Sequence, residues 1–159
     1  MKAFFSVVSS FIILFTLSCN NSGNNTSGKD DNKPKTKADS LMDDIMAGHD
    51  ASMAKMNKLS VLKAKIQHTL DSVEGLPKKA RKASAAFKAV LDSSQAKLIA
   101  AEEQMNKWMD EFNMDSLENN MAERIKYLES ERSKVTKVRE DLLSSLQKAD
   151  SLVKKTVRQ

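Results

Sequence analysis

The sequence predicts an all-α protein: an up-down-up, three-helix antiparallel bundle with coiled-coil packing, behind an export signal and a polar linker. Only four Gly and two Pro occur in 159 residues, too few for the turns of a β sandwich or barrel. Apolar residues recur at alternating steps of three and four along three long segments, which is the spacing of a coiled-coil seam. Only two short breaks separate these segments.

Residues 1–18 are predicted to be a signal peptide. Lys2 gives a positive start, and residues 3–17 are mostly apolar but fall short of the roughly 20 residues that cross a bilayer. Cys19, the only cysteine, follows at once. Residues 16–19 resemble the lipobox of bacterial lipoproteins, in which cleavage precedes the cysteine and the cysteine carries the lipid. The resemblance implies a lipid anchor at Cys19; the alternative is an ordinary secretory signal with a thiol nearby.

Residues 19–37 are predicted to be the lipidated cysteine followed by a disordered tether. After Cys19 this stretch contains no large apolar residue, so it cannot bury enough surface to offset the entropy of ordering. Lys29-Asp30-Asp31 resembles the signal that sends Bacteroidetes lipoproteins to the outer face of the outer membrane. That resemblance implies surface exposure, while a solvated charge run in a linker would leave a periplasmic orientation open.

The helical body is predicted at residues 38–157, with helices at about 38–74, 78–112 and 117–157. Gly75 and Pro77 form the first break, and Asp115 is the predicted cap at the second. An alternative is a shorter hairpin that dimerises.

Each helix has one apolar seam. The seams are Met42, Met46, His49, Met53, Met56, Leu59, Leu62, Ile66, Leu70 and Val73; then Ala80, Ser84, Phe87, Leu91, Ser94, Leu98, Ala101, Met105, Trp108 and Phe112; then Met121, Ile125, Leu128, Val135, Val138, Leu142, Leu146, Ala149 and Val153, with Arg132 interrupting the third.

The sequence predicts no catalysis. His49 and His68 are the only histidines, and about 28 Å of helix would separate them, so they cannot share a site. No glycine-rich phosphate loop and no paired Glu-x-x-His motifs occur. The formal net charge of +5 is spread along the chain, which does not favour a nucleic-acid partner, and no small-molecule substrate is evident.

Methionine and histidine share one face at the start of the first helix, next to the predicted end of the second. Thioethers and imidazole suit Cu(I), and an indole face can sit over a cation. The favoured interpretation is that methionine fills the core and His49 fixes the register; the alternative is a copper site. Its candidate ligands are Met46, His49, Met53, Met105, Trp108 and Met109.

Four Asp-Ser-aliphatic triplets resemble the O-glycosylation sequon of Bacteroidetes proteins, and helix capping is the alternative explanation for most of them. The acceptors that the resemblance implies are Ser40, Ser72, Ser116 and Ser151.

The order of features also resembles a group of uncharacterised Bacteroidetes helical lipoproteins, often labelled as similar to viral A-type inclusion proteins. The matching segments are residues 49–56, 105–112 and 127–129. The resemblance implies a cell-envelope location and no established activity. The prediction is therefore a lipid-anchored outer-membrane lipoprotein whose bundle is a structural or protein-interaction module. Its expected partners are the membrane, envelope proteins or a second copy.

Overall fold

The computed structural model describes residues 34–156, and this part of the chain is all-helical, as predicted. Four helices pack against one another: α1 (Lys37–Glu74), α2 (Lys78–Ala83), α3 (Ala85–Glu111) and α4 (Met121–Thr156). The predicted signal peptide, Cys19 and residues 20–33 of the predicted tether lie outside the described residues. Within residues 34–156 no helix has the length and apolar character needed to cross a membrane.

The start of α1 is fixed by a reciprocal pair of hydrogen bonds. The backbone N–H of Asp39 donates to the Thr36 hydroxyl over 3.2 Å, and the Thr36 N–H donates to the Asp39 carboxylate over 2.9 Å. This capping box satisfies two N–H groups that the helix cannot pair internally. It stabilises the helix by about 1 kcal/mol. The helix ends before Gly75, whose N–H donates to the Asp71 carbonyl oxygen over 3.0 Å.

The predicted second helix is not continuous, because it breaks at Ser84 into α2 and α3. The Ser84 N–H is shared between the carbonyl oxygens of Ala80 and Arg81, at 3.0 and 3.2 Å. The Ser84 hydroxyl donates to the Ala80 carbonyl as well, over 3.1 Å. The backbone of Ser84 has φ −88° and ψ 3°, and this ψ departs from the roughly −40° of an α-helix, so the helix is interrupted at this residue.

The last helix begins at Met121, so the predicted start at residue 117 is wrong. Leu117 has a φ of 61°, a left-handed conformation that cannot continue into a right-handed helix. The Asn120 side-chain oxygen accepts a backbone N–H from the first turn of α4 and takes the role of cap. Asp115, the predicted cap, instead has its own N–H bonded to the Asn113 side-chain oxygen at 3.0 Å, which tightens the connection between the helices.

Helices α1, α3 and α4 each contact the other two and share a core in two clusters. The predicted seams of the second and third helices match this core except at one end of each, because Ala80 and Met121 are exposed. The larger cluster contains Leu59, Leu62, Ile66, Leu70, Val73, Leu91, Leu98, Ala101, Leu142, Leu146, Ala149 and Val153. The smaller contains Ala38, Leu41, Ile45, Met105, Trp108, Leu128 and Val135.

The first half of the α1 seam was predicted one residue out of register. Met42, Met46, His49 and Met56 are only half-buried, and Met53 is 39% exposed. The residues that directly precede Met42, Met46, His49 and Met53 are buried instead. The buried stripe at the start of α1 is therefore Ala38, Leu41, Ile45, Gly48 and Ser52.

Small residues explain why this stripe faces the core. A Cβ atom placed on Gly48 would lie 3.4 Å from Cγ1 of Val135, so the α1 backbone packs directly against α4. Ser52 is fully buried and its hydroxyl donates to the Gly48 carbonyl over 2.8 Å. A larger side chain at either position would push the two helices apart, because protein interiors are close-packed.

Replacing Gly48 by Ala is expected to raise the free energy of unfolding by about 0.5–1 kcal/mol, because Ala is the better helix former. The added methyl group fits at ordinary contact distance from Val135. Gly48→Leu should instead lower the free energy of unfolding by about 1–3 kcal/mol through overpacking. Urea denaturation of both variants followed by circular dichroism measures the two effects. Tolerance of Leu would contradict the close approach of α1 and α4, whereas destabilisation by Ala would mean that the helices are too close at Gly48 for a methyl group to fit.

Candidate functional site

Four rings follow one another where the first half of α1 meets the end of α3 and the start of α4. The ring centroids of His49 and Trp108 are 5.9 Å apart, those of Trp108 and Phe112 are 5.0 Å apart, and those of Phe112 and Tyr127 are 6.4 Å apart. The last two pairs are stacked, with interplanar angles of 17° and 3°. We refer to these four residues as the aromatic stack. Of the four described aromatic residues other than histidine, only Phe87 lies outside it.

The indole of Trp108 is held by a buried carboxylate. Trp108 is 5% exposed, and its Nε1–H donates to Oε2 of Glu131 over 3.1 Å. Glu131 is itself only 3% exposed, and its other oxygen accepts from the Lys134 ammonium over 2.7 Å. This hydrogen bond to Glu131 raises the pKa of Lys134 above its usual value. Both carboxylate oxygens are thus paired, as a buried charge requires.

Glu131 occupies the place in the α4 seam at which the sequence predicted an interruption by Arg132. Arg132 lies on the surface, where its guanidinium donates to Asp44 of α1 over 3.3 Å. Glu131 stands three residues after Leu128 and four before Val135, which is the regular alternation of a heptad. That spacing was the available signal for its burial.

His49 connects the aromatic stack to a thioether. Its Nδ1 lies 2.9 Å from Oδ1 of Asp50, and its Nε2 lies 3.3 Å from Sδ of Met109. Because a carboxylate only accepts hydrogen bonds, Asp50 assigns the ring proton to Nδ1. A neutral His49 then directs the Nε2 lone pair at the Met109 sulfur, and a protonated ring donates an N–H to it instead.

The atoms of His49 and Met109 have a separation that one soft ion could bridge. With metal–nitrogen and metal–sulfur bonds of about 2.0 and 2.3 Å, the two ligands would subtend roughly 100° at the metal. A carboxylate behind the other ring nitrogen is a common support for a ligating histidine, and Asp50 has that position. Within residues 34–156 no three His, Cys, Asp or Glu side chains group to hold a metal.

The other predicted ligands are spread around this pair. Trp108 is a ring neighbour of His49. Met105 is fully buried in the smaller core cluster. Met46 is half-buried and Met53 is exposed, each within one turn of His49 along α1. The structure therefore brings His49, Trp108 and Met109 together, uses Met105 as core, and leaves two thioethers at the rim.

The serines of the four Asp-Ser triplets have different surroundings. Ser40 and Ser72 are exposed on α1 and donate to carbonyl oxygens one turn earlier, and Ser151 is exposed on α4. Ser116 is half-buried in the connection between α3 and α4. None of the four is a helix cap in the described chain, where Thr36 caps α1 and Asn120 caps α4. Capping by the serines themselves therefore does not account for the pattern.

Comparison with known proteins identifies no relative. No family model, no curated protein and no solved structure matches the chain. The resemblance to Bacteroidetes lipoproteins accordingly stays a prediction.

Proposed function

We propose that this protein is a cell-envelope lipoprotein, anchored in the outer membrane through Cys19, whose helical body is a structural or protein-interaction module. The observation that carries the proposal is the position of Cys19, the only cysteine of the chain, directly after an apolar segment of signal-peptide length. Several acyl chains on that cysteine would hold the protein stably, since each buried CH₂ contributes about 0.8 kcal/mol. The polar residues 20–36 would separate the anchor from α1.

We further propose that the body is an up-down-up bundle with coiled-coil packing. In the contacting pairs of α1 and α4, the residue numbers of both partners increase together, as in parallel neighbouring helices. In the pairs of α1 and α3, one number increases while the other decreases, as in antiparallel neighbours. Further support comes from the buried stripe of α1, in which steps of three and four alternate from Ala38 to Ser52. The α1–α4 pairs are Lys37–Glu129, Asp44–Arg132 and Lys58–Asp150; the α1–α3 pairs are His49–Met109 and Glu74–Lys88.

The pairing of carboxylates with lysines in a surface groove supports the part of the proposal that assigns no catalysis to the protein. A shallow groove of about 290 Å³ lies beside Trp108, between α3 and α4. Its carboxylates are occupied by lysines on the same helix: Lys107 pairs with Glu111 at 3.8 Å and Lys137 pairs with Asp141 at 3.1 Å. A nucleophile or general base needs a free group aimed into an enclosed site, and exposed ion pairs of this kind suit a solvated helix surface.

The anchor is tested by replacing Cys19 with Ala in the full-length gene and fractionating the native host. The wild-type protein is expected in the membrane fraction and to incorporate labelled fatty acid. The Cys19→Ala protein should lose the label, because it has no thiol to acylate. A Ser18→Ala protein is the matched control and should retain the label, because it keeps the cysteine and a small residue before the cleavage point. A wild-type protein without label, or equal labelling of the wild type and Cys19→Ala, would refute the anchor.

A second candidate function, binding of Cu(I), is favoured by the 3.3 Å separation between His49 Nε2 and Met109 Sδ. In this candidate Asp50 orients the imidazole, Trp108 covers the ion with its ring, and a thioether from the rim completes the site. Soft thioether ligands discriminate Cu(I) from harder ions. The protein would then hold copper in the envelope, with the bundle serving as a rigid support for the two ligands.

An anaerobic competitive titration of the full-length protein with Cu(I) tests this candidate. His49→Gln and Met109→Leu should each weaken Cu(I) binding at least about tenfold, since each removes one ligand that a two-to-three-coordinate ion cannot replace. Met114→Leu, an exposed methionine in the connection before α4, is the matched control and should leave the affinity unchanged. Equal affinities in all four proteins, or no binding by the wild type, would exclude copper at His49.

A further inference from the structure

The two ends of the helical body carry opposite net charge. The end at which α1 gives way to α2, residues 71–92 and 148–156, has eight Lys or Arg against four Asp or Glu. The other end, residues 34–50 and 105–130, has five against ten. We call these the basic end and the acidic end. The modest net charge of the whole chain conceals this polarity, which appears only when the helices are placed side by side.

The short helix α2 concentrates the charge of the basic end. It contains no acidic residue and no buried residue. Its four cations are exposed, and within the described chain none of them forms an ion pair; Arg81 donates only to the Glu74 carbonyl oxygen, over 3.3 Å. Uncompensated charges close together produce a positive potential that extends into solvent. The four are Lys78, Lys79, Arg81 and Lys82.

An apolar side chain projects from the same surface. Leu76 lies in the turn between α1 and α2, directly before Pro77, and is 36% exposed. The turn is the outermost point of this end, because α1 finishes at Glu74 and α2 starts at Lys78. The exposed part of Leu76 lies next to four cations and is placed to leave water when the basic end meets an apolar phase.

We propose that the basic end binds the surface of an anionic lipid bilayer. The cations of α2 contact lipid phosphates, and Leu76 enters the boundary between headgroups and acyl chains. Polybasic segments are attracted to anionic membranes in this manner, and each basic residue near the surface strengthens binding by about fivefold. This surface belongs to the helical body alone, so the inference is independent of lipidation at Cys19.

A bilayer fits this surface better than a protein or a nucleic acid. Helices of about 10 Å diameter give the end of a three-helix body an area of roughly 300 Å², well below the ~800 Å² that each partner buries in a standard interface. A bilayer needs no matching shape. Bases of single-stranded nucleic acids stack on aromatic rings, and Phe87, the one aromatic residue of the described basic end, packs against the core instead.

Co-flotation with vesicles tests the proposal on the protein from residue 20 onwards, which lacks the apolar residues 3–17 and Cys19 and so cannot bind a bilayer through either. Neutral phosphatidylcholine vesicles give the background, and vesicles containing about one-third phosphatidylglycerol present the anionic surface. The variant K78Q/K79Q/R81Q/K82Q removes the cations of α2. The variant K55Q/K107Q/K126Q/K137Q removes the same charge from exposed lysines elsewhere and is the matched control. Helix content measured by circular dichroism verifies that both variants fold.

The unsubstituted protein is expected to bind anionic vesicles selectively, less so at high salt. The α2 variant should lose this binding by roughly 600-fold, about fivefold for each of its four cations. The control should change it by less than about threefold, and Leu76→Ser should weaken it several-fold. Equal binding to neutral and anionic vesicles, or an equal loss in both charge variants, overturns the proposal. Binding of polyglutamate without vesicle binding would identify an acidic polypeptide as the partner and also overturn it, as would salt-sensitive self-association alone.

Discussion

Replacing Trp108 by Ala should lower the free energy of unfolding by about 4 kcal/mol. The indole is almost fully buried, stacks on Phe112 and donates to Glu131. Truncation removes apolar contacts to the smaller core cluster, opens a cavity, and leaves the Glu131 carboxylate buried with one oxygen unpaired. The cavity and the lost hydrogen bond act in the same direction, which is why the expected effect is the largest in the protein.

Urea denaturation followed by circular dichroism measures this effect. Trp108→Phe keeps most of the ring but removes the N–H group, so it should cost about 1–2 kcal/mol. Met114→Ala, at an exposed position in the connection, is the control and should change stability by less than about 0.5 kcal/mol. A loss below about 1 kcal/mol for Trp108→Ala would mean that this end of the body does not have the packed core described above.

Replacing Glu131 by Ala is expected to cost about 2–3 kcal/mol, the second largest effect. The substitution leaves the buried Trp108 N–H without an acceptor, and an unsatisfied buried donor costs about 1–3 kcal/mol. It also deprives Lys134 of its partner. Glu131→Gln retains an acceptor of the same shape and should cost less than about 1 kcal/mol. If Ala and Gln proved equally harmful, the charge of Glu131 rather than its hydrogen bond to Trp108 would be the stabilising property.

The pH dependence of stability separates the two bonds of Glu131. Since the hydrogen bond to Glu131 raises the pKa of Lys134 above 10.5, the stabilisation from this pair is fully present below pH 10.5. It is lost as the pH rises through the raised pKa. Unfolding measured on both sides of that range should show this loss in the wild type and not in Glu131→Gln. The Trp108 bond does not titrate there and should be unaffected.

The sequence was sufficient to predict the helical class and the course of the seams in α3 and α4. Leucines at heptad spacing leave little choice of face, so the buried positions from Leu91 to Leu98 and from Leu142 to Val153 follow directly. The breaks were harder to predict. Ser84 ends α2 with a ψ of 3°, outside the helical range, and Leu117 adopts a left-handed conformation that an aliphatic residue rarely takes. Neither backbone conformation can be predicted from the type of residue at that position.

The register of α1 was predicted wrongly because two stripes with the same spacing lie side by side in the sequence. The methionine stripe is the more apolar in appearance, and the buried one contains Gly48 and Ser52. One sign of the error was available: continuing from the methionines into the next leucines requires three consecutive steps of three, from Met53 through Met56 and Leu59 to Leu62. The buried stripe reaches Leu59 in whole heptads from Ser52 and needs no such irregularity.

Half of the candidate site could be predicted. Methionine and histidine on α1, with tryptophan and methionine at the end of α3, predicted that His49, Trp108 and Met109 would meet, and they do. Glu131 could not be assigned to the core from its chemistry, because a carboxylate is normally exposed. Its pairing with the indole N–H, which depends on the relative rotation of α3 and α4, and its pairing with the Lys134 ammonium together make that burial tolerable.

The displaced methionine stripe determines how the folded chain responds to peroxide. Met53, Met114 and Met121 are exposed, whereas Met105 is sealed in the interior. Sulfur at the surface is converted to the sulfoxide while close packing shields the rest, and a sulfoxide disrupts structure mainly where the side chain was buried. We therefore expect peroxide to oxidise the three exposed methionines first and to leave the core packing of Leu41, Ile45 and Met105 intact.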